Sequence, residues 1–127
     1  MEEARTRDVV TARRRPLMPQ VGRGEFHLLS IGINQYRQCS TLQTAVSGAE
    51  QVAEALINHY GFAPQRVTLL RNEEATRAKL IRVLRDFARR LGENDSLLIF
   101  YSGHGHLDEF RLGHWLPVEA SLNEADG

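Results

Sequence analysis

Cysteine and long apolar segments are scarce in this sequence, and each shortage excludes a class of protein. The single cysteine, Cys39, excludes an internal disulfide framework and any metal site built from several cysteines. The longest apolar runs, such as residues 97–101, are far shorter than the roughly 20 residues that a membrane-spanning helix needs. Residues 1–24 carry acids, arginines and prolines where a secretory signal peptide has an apolar segment. We therefore expect a cytoplasmic protein in a reducing compartment, without a membrane partner.

The chain also lacks an excess of charge of either sign. Its 16 Lys and Arg residues balance 16 Asp and Glu residues, so composition offers no argument for a nucleic-acid partner. Lys79 is the only lysine, so the other basic residues are all arginines. This preference for arginine does not by itself indicate a particular ligand. With 127 residues, of which 42% are hydrophobic, the chain is predicted to form one globular domain.

Residues 1–24 and residues 25–127 differ in character. The first segment has many charges and two prolines but no sustained apolar period, which is typical of a flexible charged tail or linker. From Phe26 onwards, apolar segments with the spacing of strands and helices alternate along the chain. The domain is therefore predicted to occupy residues 25–127.

Three short apolar runs predict strands, and two segments with apolar residues three and four positions apart predict the helices between them. The first helix has its stripe from Leu42 to Ile57 and stops at Gly61, while the second is capped by Thr76 and stops near Gly92. The order β-α-β-α-β favours a mainly parallel sheet in a three-layer α/β/α sandwich. Residues 114–118 are expected either to add a small strand or to lie over the rim of the sheet. The strands are predicted at residues 26–33, 66–70 and 96–101.

The last predicted strand leads directly into a histidine between two glycines, Gly103-His104-Gly105. In parallel sheets chemistry collects beyond the carboxyl ends of the strands, and glycine neighbours leave an imidazole accessible. His104 could accept a proton from a nucleophile and return it to a leaving amine, while the glycine amides stabilise an oxyanion. The spacing fits equally well a tight turn in which His104 caps a carbonyl group. Both interpretations stay open on spacing alone.

Four segments of the chain match the motif pattern of a known peptidase family. They are residues 28–36, with Gly-Ile-Asn-Gln-Tyr; residues 49–56; residues 101–105, with Tyr-Ser-Gly-His-Gly; and residues 113–120. Together they resemble the caspase-like peptidases, above all metacaspase-type and bacterial members, over about residues 26–120. The resemblance implies a caspase-like fold and a cysteine endopeptidase that acts on proteins or peptides. It also implies that His104 is the catalytic histidine of a Cys/His dyad and that Gly105, with Gly103 as a second candidate, contributes to the oxyanion hole.

The nucleophile of this family has no counterpart at the expected position. The family's cysteine follows the histidine by about 50 residues at the end of the next strand, whereas 23 residues follow His104 here. Cys39 lies in the loop after the first strand, and we expect it to be a half-buried loop thiol. The chain is therefore interpreted as the amino-terminal, histidine-bearing portion of a peptidase domain. We expect it to be inactive alone and to need a partner portion, in the same or a second polypeptide, that carries the cysteine.

Substrate preference is less well defined by the sequence. Metacaspase-like members carry an aspartate just inside the first helix, whereas the matching position here is Gly48. Asn34 and Asp108 remain candidate substrate-binding residues, although acids in a loop are more often only solvated. The resemblance alone implies a preference for cleavage after basic residues, and it makes activation by calcium possible.

Two alternatives belong to other functional classes. A noncatalytic binding or regulatory module would keep the fold and the histidine loop without turnover. A metal-dependent hydrolase would use His104, His106, His114 and Asp108 as ligands. However, no His-x-x-x-His pair occurs. We therefore expect no metal and no cofactor. Trp115 is either a cover over the sheet or a platform for substrate.

Overall fold

A computed structural model describes residues 24–121 and contains the predicted three layers. A parallel sheet lies in the middle, with the first strand between the second and the third, and one helix packs on each face. Two further short strands pair antiparallel beside it. The predicted tail lies outside the described residues except for Gly24, as do residues 122–127. The elements in chain order are β1 (Phe26–Gly32), α1 (Ala45–Tyr60), β2 (Val67–Arg71), α2 (Arg77–Arg90), β3 (Ser96–Ser102), β4 (Gly105–Leu107) and β5 (Gly113–Trp115).

The central strand β1 is buried on both faces, as its apolar sequence predicts. Leu28 joins the apolar cluster beneath α1, whereas Leu29 and Ile31 join the cluster that contains Phe87 of α2. The two clusters lie on opposite faces because successive side chains of a strand alternate. Ser30 is the polar exception, and its hydroxyl donates to the Ala49 carbonyl of α1 at 2.8 Å. β1 therefore anchors both helices.

Helix α1 lies unusually close to the end of β1. A Cβ atom on Gly32 would come within 2.7 Å of the Ala45 carbonyl oxygen and 2.8 Å of the Ala49 Cβ. The buried face of the helix is made of alanines, Ala45, Ala49 and Ala53, whose small side chains permit this approach. The close contact brings the start of α1 to the carboxyl end of the sheet.

The helix boundaries agree with the sequence signals, with small differences. Gly61 ends α1 in a left-handed conformation, with φ of 76°, and the Thr76 side chain accepts from Lys79 N–H at the start of α2. Leu42 lies outside α1, in the preceding loop, where its N–H donates to the Asn34 carbonyl at 2.8 Å. Helix α2 ends at Arg90, two residues before the expected Gly92. No helix within residues 24–121 has the length and apolarity to cross a membrane.

The apolar segment at residues 114–118, for which a small strand or a position over the sheet rim was expected, divides into two parts. Residues 113–115 form β5, whereas Leu116 and Val118 are buried in the cluster beneath α2. The Val118 N–H donates to the Ala75 carbonyl at 3.0 Å, which ties the segment to the start of α2. The segment thus closes one end of the core and carries a short strand outwards.

The two glycines at the junction of β1 and α1 provide a matched test of this packing. Gly32→Ala is expected to lower the free energy of unfolding by about 1–3 kcal/mol, because its Cβ would overlap the helix backbone. Gly48→Ala, whose Cβ would have no atom within 4 Å, is expected to raise it by about 0.5–1 kcal/mol through helix propensity. Urea unfolding followed by circular dichroism measures both changes. Equal effects of the two substitutions would contradict the close approach of α1.

Candidate active site

The candidate site lies where β1 and β3 end side by side. Gly32 pairs with Ser102 in the parallel register, and the Ile33 N–H extends the ladder by donating to the Ser102 carbonyl at 3.0 Å. The loops that follow the two strands therefore leave the sheet together. This places His104, after β3, against Tyr36 and Ser40, after β1.

Two asparagine side chains organise the loop after β1. The Oδ1 atom of Asn34 accepts from the N–H groups of Ala45 at 2.8 Å and Val46 at 3.1 Å, and it thereby caps α1. The Oδ1 atom of Asn72 accepts from the N–H groups of Asn34 at 2.9 Å and Gln35 at 3.1 Å. The side-chain oxygen of Asn34 is thus already hydrogen-bonded to the start of α1. A contact between Asn34 and substrate stays a prediction.

Two tyrosine hydroxyl groups hold the backbone of His104. The His104 N–H donates to the Tyr36 hydroxyl at 2.7 Å, and the Tyr101 hydroxyl donates to the His104 carbonyl at 2.6 Å. The two hydroxyl oxygens lie 3.1 Å apart, and Tyr36 also donates to the Leu116 carbonyl at 3.1 Å. Burial raises the pKa of both phenols, so each keeps the proton that it donates. We call this arrangement the tyrosine clamp.

The tyrosine clamp explains one of the two glycines beside the histidine. A Cβ atom on Gly103 would lie 2.5 Å from the Tyr36 hydroxyl oxygen and 2.6 Å from that of Tyr101. Any side chain at this position would displace the clamp. Packing therefore requires Gly103, and its contribution to an oxyanion hole stays a prediction.

The imidazole of His104 is held in one tautomer. Its Nε2 atom lies 2.8 Å from the Ser40 carbonyl oxygen, and its ring packs against the Tyr36 ring with centroids 4.7 Å apart. A carbonyl oxygen can only accept a hydrogen bond, so Nε2 carries the proton in the neutral ring. The lone pair then lies on Nδ1. The half-buried ring is thus prepared to accept a proton at Nδ1 from a neighbouring group.

Gly105 presents a backbone N–H beside this imidazole. The Leu116 N–H donates to the His104 carbonyl at 3.1 Å, so the next pair of the ladder, Gly105 and Trp115, is a non-hydrogen-bonded pair. In such a pair the amide points away from the partner strand. The exposed amide of Gly105 is therefore directed outwards from the β4–β5 hairpin, as a donor to an oxyanion would need to be.

The carboxylate of Asp108 organises the turn between β4 and β5. One oxygen accepts from the N–H groups of Phe110 and Leu112, both at 2.9 Å, and the other lies 2.9 Å from Nε2 of His114. The contact with His114, followed by the backbone hydrogen bonds, holds the pKa of the Asp108 carboxyl below its usual value. The carboxylate is engaged within the turn, so its contact with substrate stays a prediction.

His106 and His114 belong to the β4–β5 hairpin. Their rings lie side by side across it with centroids 6.3 Å apart, and Asp108 bonds to His114. Within residues 24–121, no group of three or more His, Cys, Asp and Glu side chains is placed to hold a metal ion. The candidate ligands of a metal-dependent hydrolase are therefore not brought together.

Cys39 is half-buried in the loop after β1, as expected. Its thiol lies 3.4 Å from the Ala120 carbonyl oxygen, to which it donates, and it packs against the cluster beneath α2. These contacts are those of a small apolar loop residue.

Sequence reasoning missed the residues that position His104. In the sequence, Tyr36 and Tyr101 belong to two motifs without a distinct role of their own, and nothing distinguishes Ser40. Both tyrosine motifs stand at the ends of predicted strands, but only the structure shows that these strands are neighbours. Ser40 acts through its backbone carbonyl, which every residue type has, so the sequence carries no signal for this contact.

The family model and the curated relatives that match this chain indicate the same family. The family model described as "Caspase domain" matches residues 27–125. Metacaspase-1 of Saccharomyces cerevisiae is 31% identical over 88 residues, and Metacaspase-1 of Eremothecium gossypii is 27% identical over 88 residues. Each match covers 65% of this chain and 20% of the relative, so the chain spans about a fifth of the length of these curated relatives. The crystal structure of protein GSU0716 from Geobacter sulfurreducens has a TM-score of 0.63 and 27% sequence identity, and the match covers 75% of this chain and 40% of that one.

The tyrosine clamp can be tested by removing one hydroxyl group. Tyr36→Phe leaves the His104 N–H without its acceptor, and we expect the free energy of unfolding to fall by about 1–3 kcal/mol. Tyr60→Phe is the matched control, since Tyr60 is 39% exposed, and it should change the value by less than about 0.5 kcal/mol. Both are measured by urea unfolding. If Tyr36→Phe changed the free energy of unfolding as little as Tyr60→Phe does, the tyrosine clamp would not contribute to stability.

The turn between β4 and β5 should loosen in acid. Because the folded-state pKa of Asp108 is depressed, its contribution is present above its unfolded pKa of about 3.9 and is lost as the pH falls through the folded value. The fluorescence of Trp115, the single tryptophan, is expected to report this step below about pH 4. Asp108→Asn should remove the step, because the amide oxygen accepts hydrogen bonds at any pH. Asp86→Asn, on α2, should retain it.

Proposed function

This chain belongs to the caspase domain family, and we propose that it contributes the histidine half of a cysteine endopeptidase site. Family membership supports a caspase-like peptidase. The observation that supports the part played by His104 is the Ser40 carbonyl on Nε2, which leaves Nδ1 as the basic atom. Because Cys39, the single cysteine, is engaged with Ala120, we assign the nucleophile to a cysteine outside these 127 residues.

The proposed reaction proceeds in two stages. His104 Nδ1 takes the proton of the thiol, the thiolate forms a C–S bond to the substrate carbonyl carbon, and the carbonyl electron pair moves to oxygen. The Gly105 N–H donates to that oxyanion. The intermediate then collapses with cleavage of the C–N bond, and the proton on Nδ1 passes to the leaving amine. A water molecule, deprotonated by Nδ1, hydrolyses the thioester and restores the thiol.

The open edge of β3 supports a partner portion that carries the cysteine. Among the described residues β3 pairs on one side only, with β1, and its Leu98 and Ile99 side chains are 49% and 39% exposed. Unpaired backbone groups and apolar side chains on a strand edge favour pairing with a further strand. We propose that the cysteine strand adds here, either from the same polypeptide or from a second one.

Other elements of the proposal come from the family alone. They are a protein or peptide substrate, a preference for cleavage after a basic residue, and activation by calcium. No metal cofactor and no nucleic acid enter the proposed reaction. The assay that tests the function therefore varies both the residue before the cleaved bond and the calcium concentration.

The test compares the complete polypeptide that contains this sequence with its His104→Ala and His59→Ala variants. Fluorogenic peptides carry Arg, Lys or Asp before the cleaved bond, with and without calcium. We expect His104→Ala to lower kcat/KM by about 10² to 10⁴-fold, since it removes the acid–base group. His59→Ala, at an exposed position near the end of α1, should leave kcat/KM unchanged. The 127-residue chain alone should show no turnover.

Two outcomes would redirect the proposal. Activity that survives His104→Ala would mean that His104 is not the acid–base group. A complete polypeptide that stays silent under calcium and proteolytic activation would favour the noncatalytic binding or regulatory module instead.

A further inference from the structure

The β4–β5 hairpin has one apolar face that begins beside His104. Residues that pair across the ladder share a face, so Gly105, Leu107, Gly113 and Trp115 lie together, while His106 and His114 lie on the other side. Leu107 is 60% exposed and Trp115 is 53% exposed. We call this surface the hairpin face. Large apolar side chains left in solvent beside a reactive group are characteristic of a binding surface.

The Trp115 side chain is stacked on a neighbouring ring within the hairpin face. Its ring stacks on that of Tyr101 with centroids 4.7 Å apart and an interplanar angle of 4°. Tyr101 is itself fixed through its hydroxyl bond to the His104 carbonyl. Because one side of the indole is covered by Tyr101, the exposed half of the side chain offers a flat apolar platform whose position is linked to that of the catalytic loop.

The glycines of the hairpin face leave an open gap between its two large side chains. Gly105 lies opposite Trp115, and Gly113 lies opposite Leu107. Neither is required by backbone conformation, since Gly61 has the one positive glycine φ among the described residues. Sterics do not require them either, because a Cβ on Gly113 would have no atom within 4 Å and a Cβ on Gly105 would lie 3.6 Å from the His114 carbonyl oxygen. The gap is therefore available to a side chain from another molecule.

The outer edge of β4 offers backbone groups beside this gap. Gly105 and Leu107 both occupy non-hydrogen-bonded pairs with β5, so their N–H and C=O groups point outwards from the hairpin. An extended peptide can pair with the Gly105 C=O and with the Leu107 N–H and C=O, which leaves the Gly105 N–H to the oxyanion. Its alternate side chains then lie over one face. A side chain placed over the hairpin face would meet the Gly105 gap, Leu107 and the platform of Trp115.

We propose that the hairpin face is a subsite for a bulky apolar side chain, such as Leu or Phe, on the leaving-group side of the substrate. The inference rests on the proposed function, because His104 must reach the nitrogen of the leaving amine and β4 starts at the next residue. The leaving segment of the substrate is therefore the part nearest to the hairpin. Selection at this face is independent of the residue that precedes the cleaved bond.

Turnover by the complete polypeptide tests the subsite with two substrates that share all residues before the cleaved bond. Both are internally quenched peptides, and they continue after the cleaved bond with Leu-Leu in one case and with Gly-Gly in the other. Gly113→Val, which fills the gap, is expected to lower kcat/KM for the Leu-Leu peptide about tenfold and to leave that for the Gly-Gly peptide within about twofold. Trp115→Ala is expected to lower the ratio of the two kcat/KM values, Leu-Leu over Gly-Gly, by a similar factor. Leu84→Ala, which truncates a 40% exposed side chain on α2, should affect neither substrate. Equal losses with both substrates, or no loss with either, would overturn the subsite.

Binding to the 127-residue chain tests the subsite without turnover. Trp115 is the single tryptophan, so its fluorescence reports the hairpin face directly. We expect saturable quenching or a spectral shift with acetyl-Leu-Gly-Leu-Gly amide and none with acetyl-Glu-Gly-Glu-Gly amide, and a weaker effect in Gly113→Val. Saturable binding together with a complete polypeptide that shows no turnover would support apolar binding at the hairpin face and contradict the peptidase. Turnover without selectivity for the Leu-Leu peptide and without binding would support the peptidase and contradict the subsite.

Discussion

The hydroxyl groups of Tyr36 and Tyr101 hold the His104 backbone at both its N–H and its C=O, and the rest of the site depends on this clamp. The clamp excludes a side chain at Gly103 and, through the Leu116 carbonyl, connects the histidine loop to the segment that closes the core. Hydrogen bonds of this kind are strong where water is excluded, and burial keeps both phenols protonated. The histidine is thereby positioned through its backbone, while the Ser40 carbonyl orients its ring through Nε2.

The sheet supports the site because its central strand is buried on both faces and ends beside β3. Side chains of β1 enter both apolar clusters, so the position of its carboxyl end is determined by the whole core. The loop that follows is then held by Asn34 and Asn72, and it delivers the Ser40 carbonyl to the imidazole. In the proposed dyad the cysteine strand pairs with β3, so its thiol can reach His104 only when both strands belong to one sheet. Assembly of the sheet would therefore control the proposed activity.

Much of the fold could be predicted from the sequence because its determinants are local. The apolar runs of the strands, the helical stripes, the Thr76 cap and the Gly61 stop all arise from residues a few positions apart. The position of His104 at the carboxyl end of β3 followed from the same reasoning. In contrast, Asn34 caps a helix that begins 11 residues later, and Asp108 turned out to organise a turn rather than remain a solvated acid. Both outcomes depend on where a side chain points after the chain has folded.

The amino-acid sequence by itself determined the order of strands and helices, the parallel three-layer arrangement and the placement of a histidine between two glycines at a strand end. Periodic burial and backbone propensity act over a few residues, so they can be recognised without coordinates. The tertiary structure alone decided which groups surround that histidine. Tyr36 and Tyr101 are 65 residues apart, and they meet only because β1 and β3 are neighbours in one register. The tautomer of His104 depends on a backbone carbonyl whose identity carries no side-chain signal.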